Sequence, residues 1–129
     1  MNKKIKLINE FVQKNRWVDI EFKNINYKEI TLLCGEDLDL PITKNILITF
    51  SNPSFIKSNL WIRSTLQKTK NTTFISIVSE LEAEQIIDRK LDRENNELNI
   101  KSENLFKLQT DDDEITYIAA EAISFKILN

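Results

Sequence analysis

The sequence predicts an α+β domain, mainly antiparallel β-sheet of about seven strands, with an N-terminal helix and a second helix near residues 80–92. Three observations predict it. Apolar and polar residues alternate with a period of two in at least five segments, helical stripes occur in only two places, and helices and strands do not interleave as a parallel sheet requires. The 129 residues, 41% of them hydrophobic, are enough for one core and too few for two, so a single domain over 1–129 is expected.

Ile5, Ile8, Phe11 and Val12 recur at helical spacing, with Leu7 at the edge of the stripe, which predicts an amphipathic helix over about 3–15. From Trp17 the period becomes two. Val18, Ile20 and Phe22 alternate with Asp19, Glu21 and Lys23, so a strand with Phe22 inward and Lys23 outward is expected. A second strand, about Ile25 to Cys34, ends where Gly35 permits a turn and Pro41 blocks a central strand. Asn45 to Ser51 reads as a buried strand, with a turn expected at Ser51–Pro53 because the residue before proline is pushed out of the helical region. The β-rich runs Leu60–Leu66 and Thr73–Ser79 flank a polar connector of hairpin length and are expected to pair antiparallel.

At Ser79 the period becomes helical again. Ser79 and Glu82 make a capping box, and Ala83, Ile86, Ile87 and Leu91 line one stripe. The runs ELNIK, NLFKLQT and EITYIAAEAISFKIL then supply two or three strands, with four acids, Asp111 to Glu114, between the last two.

The chemistry is defined first by what is missing. With no histidine, Ser-His-Asp and Cys-His catalysis and imidazole-based zinc sites cannot be assembled. Cys34 has neither a histidine base nor a second thiol, and a lone cysteine suits a reducing compartment. One glycine cannot write a phosphate-binding glycine loop. A net charge of -2 lacks the basic footprint of a nucleic-acid binder, and no run approaches the ~18 apolar residues of a membrane span. No cofactor or metal is expected, and the chain is expected in the cytoplasm.

Glu21 and Lys23 form an E-x-K pair on one strand face, similar to the arrangement with which PD-(D/E)xK nucleases hold magnesium and activate water. That family also needs an upstream acid on a neighbouring strand, and this chain offers only Glu10, on the predicted helix. The run Asp111, Asp112, Asp113, Glu114 lacks the alternating spacing and central glycine of a calcium loop and fits a solvated hairpin tip. Charge is nevertheless segregated along the chain. Residues 80–114 hold 12 acids and five bases, whereas residues 1–79 hold seven acids and 12 bases. Such asymmetry suits docking onto a charged partner.

In size, mild acidity, mainly β architecture and Lys/Asn/Ile-rich composition the chain resembles the small bacterial immunity proteins of polymorphic or contact-dependent toxin systems. The resemblance implies a non-catalytic protein that neutralises a cognate toxin, often a basic nuclease, by one-to-one binding and occlusion. Carboxylates would then meet Lys and Arg of the toxin while an aromatic anchor supplies lasting affinity. Glu80, Glu84, Asp88, Asp111, Asp112 and Asp113 are the charged candidates and Trp61 the aromatic one. The alternatives are a metal-dependent nuclease built on Glu21 and Lys23, and a scaffold or subunit domain of another assembly.

Overall fold

A computed structural model of the chain describes residues 2–14, 17–35, 44–58, 63–67, 73–86, 104–109 and 115–128. Helix α1 (Asn2–Gln13) is followed by β1 (Trp17–Ile25), β2 (Glu29–Gly35), β3 (Asn45–Ser58), β4 (Arg63–Gln67) and β5 (Ile75–Ile77). Helix α2 (Glu80–Ile86), β6 (Asn104–Gln109) and β7 (Ile115–Leu128) complete the described elements. The strands form one sheet in the order β4-β1-β2-β3-β7-β6-β5, and every pairing is antiparallel. The class expected from the alternation, an antiparallel sheet with an N-terminal helix and a second helix, is the class observed.

Three local expectations are corrected, and a fourth is described only in part. Residue Ile25 ends β1 rather than starting β2; the turn is Asn26–Lys28, held because the Asn26 side-chain oxygen accepts from the Lys28 and Glu29 amides at 2.9 and 3.0 Å. The strand does not stop at Ser51–Pro53. Asn52 takes a left-handed φ of 50°, the register shifts between Pro53 and Phe55, and β3 runs on to Ser58. Pro53 stays opposite Ala120 and Ser54 is the extra residue, so the strand accommodates the proline beside a bulge and no turn is needed. The runs Leu60–Leu66 and Thr73–Ser79 do not pair: β4 bonds to β1 and β5 to β6, at opposite edges of the sheet. Finally, α2 is described only as Glu80–Ile86; the expected continuation to residue 92, and the ELNIK run, lie outside the described residues.

Ile20 of β1 and Ile75 of β5, at well-separated places in the strand order, belong to one buried cluster around α1, and the Phe50 and Phe106 rings meet across the intervening β7, where a flat sheet would hold their strands about 10 Å apart. The sheet therefore curls. The bend lies where β3 and β7, 14 residues each, meet at Asn52 and Glu121, and there β7 exposes two successive residues, Glu121 and Ala122, so that its core-facing positions change from even (Thr116, Ile118, Ala120) to odd (Ile123). Asn52 fastens this corner by donating its main-chain N–H to the Lys28 carbonyl at 2.8 Å and its amide to Glu121 at 2.9 Å.

Curling brings the concave face around α1. Ile5, Ile8 and Val12 join Ile20, Leu32, Ile48, Phe50, Ile75, Phe106 and Ile123 in one core, and the Phe50 and Phe106 rings meet at 5.3 Å although their strands are separated by β7. A smaller cluster lies on the opposite face, where Ala83 and Ile86 of α2 cover Leu105, Ala119 and Phe55. The N-terminus of α2 carries half of the expected capping box: Ser79 Oγ accepts from the Glu82 amide at 3.3 Å, while the Glu82 carboxylate turns to Lys107 at 3.8 Å.

Candidate protein-binding groove

Once Ile5, Ile8 and Val12 face the core, helical geometry fixes where the polar residues of α1 go. Asn2, Lys6, Asn9 and Gln13 follow one another at three- and four-residue spacing and line the side of the helix next to β5. Strand β5 is the last in the sheet, so one of its edges has no strand neighbour among the described residues. The hydrogen bonds show which groups that edge presents. The Phe74 carbonyl accepts from Gln109 N–H and Val78 N–H donates to the Leu105 carbonyl, both at 2.8 Å, so the main chain of 74, 76 and 78 faces β6. By the alternation of an antiparallel ladder, the main chain of Ile75 and Ile77 faces the open edge.

Asn9 confirms the assignment. Its side-chain N–H donates to the Ile75 carbonyl at 2.9 Å, and its side-chain oxygen accepts from the Ile75 N–H at 3.0 Å. The carboxamide thus makes both bonds that a residue of an adjacent strand would make. Beside it, α1 and β5 bound a shallow, open groove of about 610 Å3 lined by the half-buried Ile77, with the buried Ile5 and Ile75 beneath it. Its rim carries one cation, Lys6, and one anion, Glu10, and is otherwise neutral and polar. An apolar floor, a polar rim and main-chain groups facing inward suit a peptide chain.

A second exposed feature is the β1–β2 turn, where Tyr27 is 80% and Ile25 58% solvent-exposed, with the Lys28 ammonium 5.7 Å from the Tyr27 ring centroid. The Asn26 and Asn52 hydrogen bonds hold this turn in place.

Of the residues singled out from the sequence, Glu80 and Glu84 lie on α2, but their side chains are outside the described residues. Asp88, Asp111, Asp112, Asp113 and Trp61 are outside them altogether. Glu21 and Lys23 are close, Nζ to Oε1 at 3.0 Å, and Lys23 is the extra residue where the β1–β2 register shifts. Among the described residues no group of three or more His, Cys, Asp or Glu is placed to hold a metal ion. Cys34 is buried on the concave face, and burial pushes its thiol well above the usual range. Among the described residues no helix is long and apolar enough to cross a membrane.

The groove residues were not singled out from the sequence. Their signal was available: three carboxamides at positions 2, 9 and 13 of one helical side are unusual on a face that solvated charges could occupy, and carboxamides carry the donor-acceptor pair that a strand edge requires. No protein-family model, no curated protein and no solved structure matches the chain.

Proposed function

We propose that the chain is a non-catalytic protein-binding domain, an immunity protein that neutralises a cognate bacterial toxin in the cytoplasm by direct binding and occlusion. The observation that carries this reading is the groove between α1 and β5, where an open strand edge, an apolar floor and a polar rim together fit a polypeptide. The rigid turn bearing Tyr27 adds an aromatic of the kind that anchors interfaces. The acids Glu80, Glu84, Asp88, Asp111, Asp112 and Asp113 supply steering toward a basic toxin, with Trp61 as a further anchor.

The test is to search the genes flanking this chain's own for a toxin domain and to co-express that domain with the chain. Growth rescue together with a one-to-one complex by light scattering is the expected result. Toxicity that persists at full expression of folded protein, with no complex at micromolar concentration, overturns the reading.

A further inference from the structure

Asn9 recognises Ile75 through one donor and one acceptor, the pairing by which one strand recognises another. Ile77 presents the same pair of groups two residues along the same edge, with no partner among the described residues. Opposite this edge, Lys6 and Glu10 are four residues apart on α1, an axial separation of about 6 Å. Alternate residues of an extended chain are about 6.7 Å apart, so one strand can set an acid against Lys6 and a base against Glu10. The stems of such side chains would cover the half-buried Ile77 while their charged heads reach the rim.

We propose that the groove is a strand-addition site. An extended segment of the protein partner pairs its main chain with Ile77 and presents an acid and a base, two residues apart, to Lys6 and Glu10. This rests on the protein-binding reading and adds to it the mode and the chemistry of the bound segment. Asn9 is then a stand-in for the partner, occupying the position at Ile75 that a longer strand would take. The segment competes with Asn9, so removing the Asn9 carboxamide strengthens binding.

The probe is the blocked peptide Ac-Thr-Val-Glu-Ile-Lys-Val-Thr-NH2, titrated into the full-length, isotope-labelled chain and followed by amide NMR. Its glutamate and lysine share a face, and their main-chain groups point to one edge. The expected result is a Kd of about 1 mM or below, with shifts centred on Ser76 and Ile77. Methylating the glutamate and lysine main-chain nitrogens should weaken binding at least tenfold, and Asn9→Ala should strengthen it roughly two- to tenfold, as for one or two neutral hydrogen bonds gained. Ile77→Pro removes the N–H that faces the open edge together with a side chain that lines the groove, so it is paired with Ile77→Ala, which keeps the N–H; the proline should abolish binding where the alanine only weakens it, while the β6 pairing keeps the fold.

Equal affinity for the methylated peptide, shifts confined to the Tyr27 turn, weaker binding by folded Asn9→Ala, or no binding at several millimolar would each overturn the proposal. So would chain self-association that alone accounts for the shifts at Ile77. A one-to-one toxin complex that leaves Ile77 amide exchange unchanged also overturns strand addition, while the protein-binding reading stands. Peptide binding as expected, with no toxin complex and no rescue, supports the strand site and sinks the immunity reading.

Discussion

Replacing Asn9 by alanine tests whether the carboxamide holds the edge of the sheet. The variant removes both bonds to the Ile75 main chain, at 2.9 and 3.0 Å, and leaves a part-buried N–H and C=O to find water. Two neutral hydrogen bonds contribute about 1–3 kcal/mol together. Two effects reduce the loss. The groove is open enough for water to replace part of what is lost, and alanine is a better helix former than asparagine by roughly 0.5 kcal/mol. The net destabilisation should be about 1 kcal/mol.

Urea unfolding reads this directly. With a slope of about 2 kcal/mol/M, the midpoint should fall by about 0.5 M with the slope unchanged. Gln13→Ala is the control, because Gln13 lines the same groove from the same helix and gains helix propensity in the same direction. The Ile75 amide should also exchange faster in Asn9→Ala than in Gln13→Ala. A midpoint that does not fall, or an equal change in the two variants, would show that the bonds to Ile75 contribute nothing beyond helix propensity.

Three further outcomes follow from the core, the corner and the buried thiol. Phe106→Ala removes a fully buried ring that touches Phe50 and should cost about 3–5 kcal/mol in the same unfolding assay. Asn52→Gly tolerates the left-handed φ and should lose less stability than Asn52→Ala, which has the same missing bond to Glu121 and must also strain the backbone; equal losses would remove φ from the account. Cys34, buried and with its thiol pushed up, should react with a thiol reagent only as fast as the protein opens, so labelling should track unfolding across urea concentrations; rapid labelling of the native protein would contradict its burial.

What the sequence reveals depends on how local the controlling interaction is. The buried faces of β3, β6 and β7 were legible because a half-buried strand writes its pleat into the sequence as period two, and Ile46, Ile48 and Phe50 are buried as that period requires. The first helix was legible for the same reason at period 3.6. Strand pairing was not. Leu60–Leu66 and Thr73–Ser79 look like the two arms of a hairpin, yet β4 pairs with β1 and β5 with β6, partners tens of residues away that no local pattern names. The bend at Asn52 and Glu121 is made by a left-handed asparagine and a bulge rather than by glycine, and the punctuation it leaves at Ser51–Pro53 reads in the sequence as a turn that ends the strand.

The groove was hidden for a related reason. The carboxamides of Asn2, Asn9 and Gln13 have no assignable partner until the open edge of β5 is placed beside them. The acids and Trp61, conspicuous as a local cluster and a rare ring, fall outside the described residues. Patterns within one element report that element's environment; a site built between two elements distant in sequence, here α1 and β5, becomes visible only with the topology that joins them. Asn9 and Ile75 are 66 residues apart, and that separation, rather than any lack of chemical signal, is what concealed the site.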